Sequence, residues 1–415
     1  MTPAVASLVA LLAVVVASLF SRLNVGVLAV ALAWPIALHA AGWKADALMQ
    51  TFPSSLFLTL LGVSLLFGVS QANGTMEALT NRAVRLCRGR AMLLPPLFFL
   101  LACTVSTIGP GAISATALVA PPAMAIAASV GLPVFLTALM VGNGANAGNL
   151  SPTSAVGVLV QHLMHEAGLG GHEWSVWAAN FAAHALVSAA AWLLLGGLAL
   201  RHAGRVDVRN ATSGPLSRVH WLTLVVTAAW IAGVVVFKAH PGLSAFGAAS
   251  LLVLTGAARD GPVVKTVPWP VLVMVCGVSV LIGVLEKTGG MDLFTSLLAR
   301  MTTPATVNGA IAFVTGLIST YSSTSGVVYP AFLPAVPGLV AKLGGGDPLQ
   351  VAMSINVGAA LVDVSTLSTI GALCIAAMPA GEDAPALFRK LLAWGFSMTV
   401  VGALYCQLLI ALFAR

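Results

Sequence analysis

Runs of about 20 apolar residues, the length that carries a helix across roughly 30 Å of hydrocarbon, recur from the first positions of the chain (3–20) to the last (391–413). Short polar stretches part them. The pattern predicts spans near 3–20, 25–41, 52–72, 133–164 and 174–200, then near 219–238, 241–257, 267–285, 348–378 and 388–413. Between the third and fourth span of each set lies a pair of shorter apolar runs broken by Pro, Gly and Ser, near 95–128 and 307–341, which reads as a re-entrant hairpin. Two spans are themselves interrupted, by "GNGANAGNLSPTS" (142–154) and by "DVSTLSTIG" (363–371). Unpaired backbone groups are not tolerated against lipid, so such a break must be buried in protein or line a wet cavity.

The two sets are copies. "FPSSLFLTLLGVSLLFGVSQANGTME" (52–77) lies over "VPWPVLVMVCGVSVLIGVLEKTGGMD" (267–292), pairing Pro53 with Pro268, Gly62-Val63-Ser64 with Gly277-Val278-Ser279, and Gly74 with Gly289. "VSTIGPG" (105–111) then falls on "ISTYSST" (318–324), Pro121 on Pro334, and "NLSPTSAVG" (149–157) on "DVSTLSTIG". Small residues recur by chance in packed membrane helices, but matched prolines, serines and spacing across each half do not. A hairpin returns to its own side, so each half crosses five times, and an odd number inverts the second half relative to the first. The expectation is an all-α polytopic membrane protein of two inverted five-span repeats, 1–210 and 211–415, each with a re-entrant hairpin and an interrupted helix.

Composition agrees with this picture. Of 415 residues, 59% are hydrophobic and 7% charged, with mean hydropathy +1.00, whereas soluble domains carry about 25% charged residues. No soluble domain is left once the spans are removed. The first run lacks a basic leader, so it reads as a span and not a cleaved signal. The net charge of +7 is spread over loops, where lipid and insertion bias account for it, and nucleic acid is set aside as a partner. Thirteen of the 19 Lys and Arg fall on one side of this topology and six on the other. That side is expected to be cytoplasmic, which puts both termini outside the inner (plasma) membrane. The basic segment 75–90 reads as a connector helix lying in the cytoplasmic interface. The cysteines have no metal-type spacing and read as packing residues.

Broken helices at matching positions of inverted repeats are the strongest sequence pointer to a transporter's binding site. The hairpin tips "STIGPGAIS" (106–114) and "STYSSTSG" (319–326) bring hydroxyls, glycines and free helix N-termini toward the same place, and a helix N-terminus suits an anion. Asp363 is the one carboxylate expected well inside a span, and its repeat partner is the neutral Asn149. A lone intramembrane carboxylate marks a functional site, as a sodium ligand or a proton carrier; the competing reading is a cap for the second half-helix, through Ser365 or its backbone. His184, in "ANFAAHALV", reads as hydrogen-bonded packing before proton relay. With no Lys or Arg inside the membrane, a bound anion would rely on helix N-termini, hydroxyls, amides and co-bound cations. Moving a dianion into a negative-inside cell costs about 4.6 kcal/mol per 100 mV, which favours cation coupling.

Two inverted repeats with hairpins and serine-rich breaks resemble the divalent anion:sodium symporter family of the ion transporter superfamily. "NVGVLAVALAW", "FPSSLFLTLLGVSLLFG", "RAVRLCRGR", "STIGPGAISATALVAP" and "MVGNGANAGNLSP" are similar to its malonate/dicarboxylate carrier branch. The resemblance implies a homodimer in membrane lipid, with a scaffold (1–90 and 217–300) and a moving transport part (95–200 and 305–413). It implies elevator-type alternating access, a small dicarboxylate as substrate, sodium or protons as coupling ions and no organic cofactor. Carried over, the substrate would meet Ser106, Thr107, Gly109, Gly111, Ser151, Thr153, Ser322, Ser323, Thr324, Ser365, Thr366 and Ser368, with Asn143, Asn146, Asn149, Asn356 and Asp363 on the cations; Ser106 and Thr107 would share a first sodium site with Asn143, Asn146 and Asn149, and Ser322, Ser323 and Thr324 a second with Asn356 and Asp363. The family's Ser-Asn-Thr tip signature is replaced here by Gly109-Pro110-Gly111 and Ser322-Ser323-Thr324.

Two other classes account for less of this pattern. A sodium/proton antiporter, or another inorganic ion transporter of the same superfamily, would use Asp363 as the exchanging carboxylate. An enzyme is not expected: "STSG" (323–326) has no argued partner for Ser325, and "HLMHE" (162–166) is not a zinc-protease order.

Overall fold

The computed structural model describes residues 2–20, 23–75, 77–78, 82, 91–109, 111–129, 131–197, 215–237, 239–267, 269–321, 323–378 and 382–414. Among these every regular element is helical. The first half runs α1 (Pro3–Phe20), α2 (Val25–Pro35), α3 (Ala45–Met49), α4 (Ser54–Ala72), α5 (Leu94–Ile108), α6 (Gly111–Ser129), α7 (Val134–Gly148), α8 (Ala155–Glu166) and α9 (Glu173–Leu194). The second runs α10 (Arg218–Val235), α11 (Pro241–Leu254), α12 (Asp260–Thr266), α13 (Trp269–Lys287), α14 (Gly290–Ala299), α15 (Val307–Tyr321), α16 (Tyr329–Phe332), α17 (Val336–Leu343), α18 (Pro348–Leu361), α19 (Thr369–Ala376) and α20 (Ala384–Leu409). Side chains that accept a backbone N–H start many of them: Asn24 at α2, Ser154 at α8, Asp347 at α18, Ser368 at α19 and Asp383 at α20.

Among the described residues six helices are long and apolar enough to cross a membrane, or up to eight if each sharply bent pair is one span. Their outer faces are apolar: Phe396, Val400, Leu404 and Leu408, at four-residue steps along α20, are all exposed, Leu408 to 72%. Isolated residues of this kind are ordinary on soluble proteins, but whole helix faces of them fit lipid. The chain is therefore a polytopic all-helical membrane protein.

The packing of the two halves is reciprocal. α2 lies on α13, and α11 lies on α4. Each crossing is a close backbone approach at a glycine pair. A Cβ on Gly277 would stand 2.2 Å from the Gly26 carbonyl oxygen, and one on Gly62 would stand 2.3 Å from that of Gly242. Small residues permit such approach, and membrane helices associate through it. The second half-helix of each broken span also reaches across, α8 against α16 and α19 against α6. Buried apolar residues accordingly form two clusters. One gathers the second hairpin with Leu159, Val160 and Leu163 of α8, and the other gathers the first hairpin with Ile370 and Cys374 of α19. The breaks lie where the two clusters meet.

Several elements differ from expectation. The first hairpin's arms are not short: Ala91–Ile108 and Gly111–Ala128 are 18 residues each, about 27 Å of helix, so its re-entrant reading rests on the tip at Gly109 and not on length. The second hairpin's return arm is split into a π-helical turn, Thr324–Val328, then α16, and then α17 across a 43° bend. α13 turns by 90° into α14, which lies beyond the span expected near 267–285. The basic segment 75–90 lies almost wholly outside the described residues.

Candidate functional site

α7 reaches the break because its glycines let α5 come against it. A Cβ on Gly144 would be 2.3 Å from the Phe99 carbonyl oxygen, and one on Gly148 would be 2.3 Å from that of Cys103. This contact brings the tip of the first hairpin onto residues 149–154. Ser151 Oγ and Thr153 Oγ1 both donate to the Thr107 carbonyl at 2.7 Å. The backbone N–H of Ala112 donates to Asn149 Oδ1 at 2.9 Å, and that of Ala155 donates to the Gly109 carbonyl at 3.1 Å. Gly111, at φ 77°, takes the left-handed turn that starts α6. Ser154 closes the break: its hydroxyl donates to the Asn149 carbonyl and accepts from Gly157 N at 3.0 Å, capping α8.

The second break repeats this construction. Ser368 Oγ donates to the Asp363 carbonyl and accepts from Gly371 N at 3.3 Å, capping α19. Asp363 stands where Asn149 stands, and it too reaches the tip of its own hairpin: Thr324 Oγ1 donates to Asp363 Oδ1 at 2.6 Å. With the Thr324 proton on Asp363, the one Ser319 hydroxyl proton goes either to Thr324 Oγ1 or to the Ala359 carbonyl, both within hydrogen-bond distance. Ser323 Oγ accepts from Gly326 N at 3.0 Å and starts the π-helical turn. Asp363 is thus not the cap of α19. Ser368 is the cap, and the carboxylate ties the broken helix to the hairpin.

The candidate residues gather at two places. Thr107, Gly109, Gly111, Asn149, Ser151 and Thr153 meet at the first break, with Ser106 next to Thr107 on α5, and Thr324, Asp363, Ser365 and Ser368 meet at the second, with Ser323 next to Thr324 on the chain. Ser322 lies outside the described residues. Asn356 sits two turns before Asp363, its side-chain N–H toward Met164 Sδ at 3.5 Å and its carbonyl accepting from Tyr329 OH. The Asn143 carboxamide is engaged at both ends, donating to the Leu139 carbonyl and bonding His184 Nδ1 through Oδ1, each at 3.0 Å. Ser106 Oγ, Asn146 Oδ1 and Nδ2, Asn356 Oδ1 and Thr366 Oγ1 are buried without a partner, and an unpaired buried polar atom is costly unless something else bonds it. Among the described residues no three His, Cys, Asp or Glu come together as a metal cluster, so a cation here would be met by hydroxyl, carbonyl and carboxylate oxygens, the donors hard cations prefer.

Ser319 and Ser154 were missed although the repeat points to both: Ser319 is the counterpart of Ser106, and Ser154 of Ser368. Asn180, which donates to the Asn146 carbonyl at 2.7 Å, carried no such signal. A cavity beside α8, lined by Leu150, Val160, Gln161, Met164, His172 and Glu173 among others, contains none of the expected residues.

Residues 1–149 match the family model described as the N-terminus of the dicarboxylate carrier protein MatC. No curated protein matches the chain. Among solved structures, the chain is similar to the YdaH transporter of Alcanivorax borkumensis, at 17% identity and a TM-score of 0.60 over 89% of this chain and 90% of that one. It is also similar to MtrF of Neisseria gonorrhoeae, reported within a class of antimetabolite efflux pumps, at 12% identity and a TM-score of 0.60 over 100% of this chain and 94% of that one. At such identity the shared property is the fold. The proteins it resembles are transporters or efflux pumps and not enzymes.

Proposed function

We propose that the protein is a cation-coupled secondary transporter of a small dicarboxylate, malonate or a four-carbon acid such as succinate or malate, that works by elevator-type alternating access. The observation that carries this reading is the matched pair of helix breaks, each tied to its hairpin tip by the residue at 149 or 363, with one carboxylate between the two. Asp363 and Thr324 supply oxygens for sodium, or a carboxylate for a proton, and the cation then offsets part of the substrate's charge. The unpaired Ser106, Asn356 and Thr366 supply neutral hydrogen-bonding groups. The family match over the N-terminal third supports a dicarboxylate as the cargo. Two inverted five-span repeats, a scaffold of 1–90 and 217–300, a homodimer in the inner membrane and termini on the outer side belong to the same reading.

Ligand-dependent thermal unfolding of the purified protein tests it. Malonate or succinate is expected to raise the unfolding midpoint in sodium chloride, or at acid pH, and much less in choline chloride at neutral pH. A ligand at 100 times its dissociation constant adds about 2.7 kcal/mol, a shift well within detection. No shift with either acid in any of these media would count against dicarboxylate binding.

A further inference from the structure

α9 carries Asn180, His184 and Ser188 at i, i+4 and i+8, which places them on one face, and the first two of them bond to α7. The bonds settle how three side chains are turned. Asn143 Nδ2 donates to the Leu139 carbonyl, so Oδ1 is the atom that faces His184 and it must accept. His184 therefore carries its proton on Nδ1 and presents a lone pair at Nε2. Asn180 Nδ2 donates to the Asn146 carbonyl, which leaves Asn180 Oδ1 as an acceptor. His184 Nε2, Asn180 Oδ1 and both ends of the Asn146 carboxamide have no protein partner, and all three residues are 0% exposed.

Four unpaired polar atoms on neighbouring turns of two packed helices are more than a native interior leaves unbonded. Two are fixed acceptors, Asn146 adds one more acceptor and a donor, and no carboxylate or cation contributes. A buried water typically makes about three hydrogen bonds, to groups of this kind. We infer that α7 and α9 hold a structural water that donates to His184 Nε2 and Asn180 Oδ1 and accepts from Asn146 Nδ2. The water links His184 to the last turn of α7 before the break, and His184 is a positioning residue for that turn. This assignment stands apart from the transport reading, because it invokes no substrate.

Asn146→Leu gives the test its sign. The Asn146 side chain makes no direct bond to protein, so if the space is dry, Leu removes two unpaired polar atoms and the unfolding midpoint of the purified full chain stays level or rises. If water is bound, Leu displaces it and strips His184 and Asn180 of their partner, and the midpoint falls by several degrees. An experimental density map of the wild-type protein, sharp enough to show ordered water, is expected to hold a peak between the three side chains. A level or raised midpoint, or an empty map whatever the variant does, overturns the inference. So does a sodium-dependent rise in the wild-type midpoint that Asn146→Leu abolishes, since that would assign the site to the cation.

Discussion

Asp363→Asn is expected to lower cation-driven dicarboxylate uptake into proteoliposomes by about tenfold to a hundredfold, the worth of one hydrogen bond to a charged group at roughly 1.5–3 kcal/mol, while the protein remains folded. The repeat explains why folding should survive. Asn149 occupies the matching place in the first half and accepts from its own hairpin tip through the Ala112 N–H, and the amide of a near-isosteric Asn at 363 can still accept from Thr324. What the variant loses is the negative charge. A retained unfolding midpoint with collapsed uptake separates the loss of coupling from a loss of structure; undiminished uptake would detach Asp363 from the cation.

Gly148→Val is expected to cost the folded protein itself. The added Cβ would lie 2.3 Å from the Cys103 carbonyl oxygen and 2.7 Å from the Thr107 backbone nitrogen, and backbone atoms in a helix cannot step aside as a flexible side chain can. α5 would have to part from α7, carrying away the Thr107 carbonyl that Ser151 and Thr153 share. Overpacking of this kind costs typically about 1–3 kcal/mol and occasionally more, and the clash here is with backbone. Gly247, within α11, has nothing within 4 Å of its Cβ position, so Gly247→Ala is the control and should gain roughly 0.5–1 kcal/mol of helix propensity. Size-exclusion profiles and unfolding midpoints of both variants decide the matter. A Gly148→Val protein as stable as the control would contradict the α5–α7 contact.

The breaks were legible because their chemistry is local. Glycine, asparagine and serine in an apolar run announce a helix end, and α7 ends at Gly148 and α18 at Leu361. The repeat made more legible than was taken from it, since shifting Ser106 and Ser368 by half the chain leads to Ser319 and Ser154. The partner of Asp363 was not legible. Local residues offered only Ser365 and nearby backbone, whereas the bond runs to Thr324, 39 positions away; the two were grouped only by the family resemblance, and their meeting depends on how the second hairpin folds back. The pairing of His184 with Asn143, 41 positions apart, likewise depends on which face α9 turns to α7. α14 escaped notice for a different reason: a 10-residue helix after a 90° turn is too short for the length rule that finds spans.

In the proposed function a cation gradient moves a dicarboxylate through this protein. Its most direct test is uptake of radiolabelled malonate and succinate into proteoliposomes under an imposed sodium gradient or an imposed pH gradient, with empty liposomes as the control. Accumulation of at least one acid above its external concentration is expected under one of the two gradients, with loss of that accumulation when the gradient is collapsed. Sodium entry that expels protons while neither acid moves would contradict it and make the protein an antiporter.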